Sequence, residues 1–365
     1  MQPIRPSRRH AQLADGREIV YYDDPSRGSL PDPPPDRRDL PPVPQPSDLR
    51  RDELVDEWTI VAAHRQGRTF LPPTRDCPLC PSRGESLTEI PASDYDVAVF
   101  ENRFASLAVE AADVFAAVED FPFRSGPGVG RCEVVCFTSD HDTSFAQLSQ
   151  QHARTVIDAL ADRTAELSRL PEVRYVFCFE NRGEEIGVTL SHPHGQIYGY
   201  PFVPPRMLRA AQTAADYQDE HGECLRCELL KRDVAAEDRV ISRSEHWTAL
   251  VPFAARWPYE ARLIANRHVG SLPELTEDER DDLAGSYLDL LRRFDRLFDT
   301  PTPYIAGWHQ APVRQFADSW HLGAEVFTIR RAAGKLKYLA GSESGAAVWI
   351  NDITPESAAA RLRGD

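Results

Sequence analysis

The run Ser191-His192-Pro193-His194-Gly195-Gln196 sets two imidazoles and a carboxamide at alternate positions. On a strand, residues two apart share a face, so His192, His194 and Gln196 are expected to point the same way. Pro193 suits an edge or a bend, and Gly195 is expected to let a bulky phosphate approach the backbone closely. A neutral imidazole with one nitrogen held by an acceptor and the other free can carry a nucleotidyl group through two successive displacements. Such a site also needs donors at the phosphoryl oxygens, and the Gln196 amide is one. A lone strand histidine is more often structural; the His-x-His-x-Gln spacing beside a metal-ligand motif turns the reading toward chemistry. His194 is the candidate nucleophile and Gln196 the candidate phosphate donor.

That metal-ligand motif is Cys77-Pro78-Leu79-Cys80. Two residues between the cysteines let both sulfurs turn inward at a tight knuckle, and tetrahedral zinc then needs two more nitrogen or sulfur ligands. An internal duplication selects them. His141-x-x-Ser-apolar-x-Gln147-Leu148-Ser149 matches His268-x-x-Ser-apolar-x-Glu274-Leu275-Thr276; each copy follows a Cys-x-x-Cys and precedes a His-x-x-x-Gln/Glu, namely His192 to Gln196 and His321 to Glu325. Four matches in one order indicate two related halves. Cys77, Cys80, His141 and His192 form the first predicted zinc site. Cys224, Cys227, His268 and His321 form a second. Gly323 stands in the place of His194, so only one half carries a nucleophile.

The elements that must position these residues are α+β in character. Trp58–Ala62, Val97–Phe100, Cys132–Phe137 and Val173–Phe179 read as strands. Long amphipathic helices are predicted from about Ser149 to Leu170 and from about Thr276 to Phe298, the latter opened by a Thr276/Glu279 capping box. The expected fold is α+β, two duplicated halves, residues 50–205 and 206–365, each an antiparallel-rich sheet with a long packed helix. Residues 1–49 are set apart as an extension with a strand near Gly16–Tyr22 and a proline-dense linker from Pro31 to Pro46.

Composition bounds the function classes. With 365 residues and 41% hydrophobic content the chain can build a substantial core. A net charge of −15 excludes a general nucleic-acid binder, though not a local nucleotide pocket. No apolar run approaches the roughly 20 residues that cross a bilayer, and the N-terminus lacks an apolar signal core. Seven cysteines, four of them in two Cys-x-x-Cys pairs, fit metal ligation in the cytoplasm better than a disulfide framework.

His192-Pro193-His194-Gly195-Gln196, with Trp58–Arg65, Phe100–Phe104, Phe179–Gly183 and Lys337–Glu343, resembles the galactose-1-phosphate uridylyltransferases of the histidine-triad superfamily over roughly residues 50–365. The resemblance implies a ping-pong reaction in which His194 takes UMP from UDP-glucose and delivers it to galactose 1-phosphate, with Gln196 holding the uridylyl phosphate. It places Arg65, Arg68, Asn102, Arg103, Asn181 and Thr189 at the nucleotide and phosphates, and Lys337, Tyr338, Ser342 and Glu343 at the hexose phosphate. It also implies that the two duplicated halves are histidine-triad-like, and that the chain forms a homodimer whose sites borrow residues from both subunits. Some members hold a second metal with a glutamate and three histidines; here Ala210, Gly323 and Glu325 stand at three of those positions and only His309 is retained. Zinc is therefore expected and iron is not. The competing activity is a nucleoside-diphosphate-sugar or dinucleoside-polyphosphate phosphorylase using the same histidine. A zinc-stapled binding module without catalysis is the non-enzyme alternative.

Overall fold

A computed structural model of the chain describes residues 7–28, 30–41, 47–67, 71–109, 118–120 and 122–365. Its strands are β1 (Ser7–Gln12), β2 (Glu18–Asp23), β3 (Asp48–Asp52), β4 (Glu57–Val61), β5 (Val97–Glu101), β6 (Val118–Asp120), β7 (Phe123–Pro127), β8 (Arg131–Cys136), β9 (Tyr175–Arg182), β10 (His194–Tyr200), β11 (Val240–Arg243), β12 (Trp247–Leu250), β13 (Tyr259–Ala265), β14 (Tyr304–His309), β15 (Gly323–Thr328), and the short pair β16 (Arg330–Ala332) and β17 (Lys335–Leu336). Eleven of them form one sheet in the order β1-β2-β5-β8-β10-β9-β14-β15-β13-β12-β11. Every neighbouring pair in it is antiparallel. β4, β3, β7 and β6 make a separate small sheet.

The duplication is visible in that order. Outward from the central β9–β14 pair, β10, β8, β5 and β2 on one side are mirrored by β15, β13, β12 and β11 on the other. The two α+β halves each have their antiparallel strands and long helix, and their strands join edge to edge into one continuous sheet. β9 meets β14 with Phe179 opposite Gly307 and Asn181 opposite Ile305.

The helices are α1 (Gln150–Leu167), α2 (Pro205–His221), α3 (Leu225–Ala236), α4 (Glu277–Asp295) and α5 (Pro355–Arg363). α1 starts where Ser149 accepts a hydrogen bond from the His152 amide, and α4 opens with the reciprocal Thr276/Glu279 box, which satisfies amides that have no partner within the helix. These two helices cover one sheet face. Val156, Ile157 and Leu160 of α1 and Leu283, Leu290 and Leu291 of α4 share a core with Val20, Val97, Val99 and Val135. Their seam is closed by Arg154, which pairs with Asp158, Glu277 and Asp281. The alternate strand residues Ile19, Tyr21, Ala98, Phe100, Val134 and Cys136 face the other way, onto Cys77, Leu79, Ile90 and Tyr95. Strands buried on both faces lose the apolar–polar alternation, which is why they read as short unbroken apolar runs.

Residues 7–41 are built onto the first half. β1 and β2 extend the sheet beyond β5, and the proline-dense segment is pinned by Arg38 to Glu89 at 2.6 Å and by Arg103 to the Pro41 carbonyl at 2.8 Å. Among the described residues no helix is long and apolar enough to cross a membrane.

Candidate functional site

The two knuckles form as two similar clusters. One ligand atom from each of Cys77, Cys80, His141 and His192 lies within 4.8 Å of the others, and the same holds for Cys224, Cys227, His268 and His321. In the first, Cys80 Sγ stands 3.3 Å from His141 Nδ1 and 3.6 Å from His192 Nδ1. In the second, Cys227 Sγ stands 3.7 Å from His268 Nδ1 and 3.3 Å from His321 Nδ1. The ring centroids of the two histidines are 5.4 Å apart in both clusters. His192 Nε2 donates to the Thr138 carbonyl at 2.8 Å and His321 Nε2 to the Ala265 carbonyl at 2.7 Å. That leaves each Nδ1 as a lone pair facing the thiols, the arrangement a ligating imidazole needs. Burial pushes both His192 and His321 down to about 4, so both rings are neutral.

His192 departs from the expected strand geometry. β10 begins at His194, so His192 and Pro193 lie in the turn before it. His192 turns into the knuckle, while His194 and Gln196, on the sheet face that packs against the knuckle, line a cavity of about 480 Å³. The imidazole of His194 is fixed from behind: its Nδ1 donates to the His192 carbonyl at 2.7 Å. Nε2 has no partner among the described residues. Desolvation lowers the pKa of this ring too, favouring the neutral form.

Gly195 also has a different role from the expected one. It points to the helix-covered face, where an added Cβ would lie 2.8 Å from Phe137 Cζ and 2.9 Å from the Phe179 carbonyl. The glycine lets the sheet close onto its core.

Arg65, Asn102, Arg103 and Thr189 line the same cavity as His194 and Gln196. Sequence reasoning missed Tyr198, although it continues the alternation by one step. Its hydroxyl donates to Gln196 Oε1 at 3.2 Å and accepts from Arg65 Nη1 at 3.3 Å. With Oε1 engaged, the Gln196 NH₂ is the end left for the cavity. Arg65 is held in turn by Ser106. Pro41 and Glu89 add to the rim.

Other expected residues lie elsewhere. Arg68 is outside the described residues. Asn181 is on β9, where Phe179 opposes Gln196, so it shares the cavity's sheet face without lining the cavity. Lys337, Tyr338, Ser342 and Glu343 do not line it either. Lys337 Nζ donates to Glu343 Oε1 at 3.0 Å, both side chains being buried, while Tyr338 is 73% exposed.

The place of the glutamate-and-histidine metal site is filled by ion pairs. Arg206 of α2 donates both Nη groups to the Glu325 carboxylate at 2.7 and 2.8 Å, with His309 Nε2 4.0 Å from that carboxylate. Ala210 is one turn further along α2. Burial, with a smaller push from the Arg206 guanidinium and against the pull of the Glu325 carboxylate, keeps His309 neutral, down at about 3.

Fold and site define a class before any comparison: a duplicated α+β enzyme in which one half sets a strand histidine at a cavity and the other sets a glycine. Residues 43–204 match the family model "Galactose-1-phosphate uridyl transferase, N-terminal domain", and residues 210–364 match the corresponding C-terminal domain. The chain is 44% identical to a galactose-1-phosphate uridylyltransferase of Streptomyces lividans, covering 96% of each. It is 38% identical to that of Thermotoga maritima, covering 87% of this chain and 98% of the relative. A solved uridylyltransferase structure superposes with a TM-score of 0.77 at 31% identity, covering 87% of this chain and 97% of that one. The chain belongs to the galactose-1-phosphate uridylyltransferase family.

Proposed function

We propose that the chain transfers UMP from UDP-glucose to galactose 1-phosphate through a uridylyl-His194 intermediate. His194 Nε2 attacks the α-phosphorus, the bond to the β-phosphate oxygen breaks, and glucose 1-phosphate leaves. A phosphate oxygen of galactose 1-phosphate then attacks the same phosphorus, the P–N bond breaks, and UDP-galactose leaves. No proton moves in either step. Nδ1–H remains on the His192 carbonyl throughout, and that hydrogen bond strengthens as the ring becomes cationic. The observation that carries the reading is the His194 ring, tethered at Nδ1 and facing a cavity that also holds the Gln196 amide and two arginines.

Gln196 holds the uridylyl phosphate. Arg65, Asn102, Arg103 and Thr189, with Arg68 and Asn181, hold the nucleotide and its phosphates. Lys337, Tyr338, Ser342 and Glu343 serve the hexose phosphate of the partner's cavity in a homodimer. Supporting this are their absence from the lining of their own chain's cavity and the exposed Tyr338, Leu339, Val348 and Ile350 beside them. Zinc fits both clusters, since two cysteine sulfurs and two imidazole nitrogens are donors it prefers. Four protein ligands close the coordination sphere. In the first half, zinc held by Cys77, Cys80, His141 and His192 would clamp the turn from which His194 starts its strand. Residues 50–205 form the catalytic half, residues 206–365 the half without a nucleophile, and residues 1–49 an extension. The enzyme acts in the cytoplasm on UDP-glucose and galactose 1-phosphate, and not on nucleic acid or membranes.

Initial rates test the scheme: with both substrates varied, double-reciprocal lines should be parallel. Intersecting lines would mean direct transfer in a ternary complex. UDP-glucose consumption driven by inorganic phosphate, with none driven by galactose 1-phosphate, would make the chain a phosphorylase.

A further inference from the structure

The duplication leaves a second cavity in the C-terminal half. It holds about 720 Å³, more than the cavity at His194. Strand register aligns the two place for place. In the first half Phe100 opposes Val134, and Val134 opposes Gln196; in the second, Leu250 opposes Arg262, and Arg262 opposes Glu325. The knuckle residues Pro78 and Leu79 line the first cavity, and Leu225 and Arg226 line the second. Asn102, Arg103 and Phe104 follow β5 into the first; Pro252, Phe253 and Ala254 follow β12 into the second.

What changed between the copies is specific. The nucleophile's place is Gly323, and where its Cβ would stand, Arg226 Nη1 lies 2.9 Å away. The Arg226 guanidinium has entered the space the imidazole occupies in the first half. It makes no hydrogen bond or ion pair among the described residues, although it is partly buried beside the cavity. Arg262 replaces Val134, and its contacts to Glu260 and Glu325 are long, 3.6 and 3.7 Å. Arg232 and Arg239 also line the cavity but are already paired, Arg232 with Glu228 and Arg239 with Asp233 and Glu356, so the free positive charge is that of Arg226 and Arg262. An unpaired, desolvated guanidinium is costly to keep, more so when a chain of net charge −15 offers many carboxylates elsewhere. The rest of the lining is mostly apolar or aromatic, with Leu229, Leu250 and Trp320 in the wall and Phe253, 77% exposed, at the rim; Thr213, Ser319 and the knuckle's His321 are its polar members.

We infer that this cavity binds a nucleoside diphosphate without turning it over. The diphosphate sits on Arg226 and Arg262 near the start of α3, and the base sits against the apolar wall. Guanidiniums suit phosphate oxygens through paired N–H donors, a helix start adds amide donors, and the absent imidazole means no covalent step. The inference rests on reading the first cavity as the nucleotide pocket, so the test separates the two. Equilibrium dialysis of UDP and of ADP against the full chain should show two saturable sites per chain for one of these nucleotides. Thr189→Trp, which fills the first cavity, should leave one. Arg226→Leu and Ala214→Trp, which disable the second, should each leave one while transferase activity persists, showing that both variants are folded. A single site lost in Thr189→Trp and untouched by the other two variants overturns the inference. A single site lost only in Arg226→Leu and Ala214→Trp upholds it and defeats the first-cavity reading. No saturable binding of either nucleotide overturns it as well.

Discussion

Removing the Tyr198 hydroxyl should slow uridylyl transfer through Gln196, although Tyr198 need not touch the substrate. In the structure the hydroxyl donates to Gln196 Oε1 at 3.2 Å and is itself held by Arg65 at 3.3 Å. Tyr198→Phe keeps the ring, which packs edge-on against Phe179 with centroids 5.2 Å apart, and deletes only this relay. The amide is then free to rotate and present its oxygen to the phosphoryl group. A neutral hydrogen bond of this kind is worth about 0.5–1.5 kcal/mol, so kcat should fall roughly 2- to 13-fold. Gln196→Ala removes the bond to the charged phosphoryl group itself, worth about 1.5–3 kcal/mol, and should cost roughly 13- to 160-fold. The two effects act through one contact and must not add. The double variant should be no slower than Gln196→Ala alone, giving a coupling close to the whole Tyr198→Phe effect. Single-turnover rates measured across the double-mutant cycle read this directly. Fully additive losses would refute the relay and leave Tyr198 as packing.

Metal analysis of purified protein should find two zinc per chain and no stoichiometric iron, with Cys77→Ser and Cys224→Ser each losing one. Glu180 supplies a pH prediction. Burial raises its carboxyl to about 7, against the Tyr304 hydroxyl that donates to it and the nearby Arg182, with Asp295 and the buried Tyr287 also facing it. Oε2 has no partner among the described residues. A raised carboxyl binds its proton more tightly folded than unfolded, so its contribution to stability falls as pH rises from about 4.5 to about 7. Glu180→Gln should therefore gain on the parent by up to roughly 3 kcal/mol between pH 4.5 and 8 in urea unfolding; a pH-independent difference would show that the carboxyl is ionised throughout.

Much of this site was legible because the chemistry is local in sequence. The two Cys-x-x-Cys knuckles, the histidines matched by duplication and the Thr276/Glu279 box each need only residue type and spacing, and the chain folds them together as those spacings require. Contacts made across the fold were harder to read. β1 is a polar edge strand, Ser7–Gln12, with no apolar alternation to announce it. α2 carries a proline at its first position and Gly222 at its end, signals that were present but lack a strong apolar stripe, since few of its residues are buried. The roles of His192 and Gly195 depended on where β10 begins, a boundary that periodicity alone does not fix. The ion pair of Arg206 with Glu325 joins residues 119 positions apart, and nothing in either segment points to the other.

The central claim is that His194 carries the nucleotide covalently. Intact-protein mass spectrometry after mixing with UDP-glucose, in the absence of galactose 1-phosphate, tests it directly. The chain should gain the mass of one uridylyl group, lose it when galactose 1-phosphate is added, and show no gain in His194→Gly. An unchanged mass in active protein, or an adduct that persists in His194→Gly, would contradict the account.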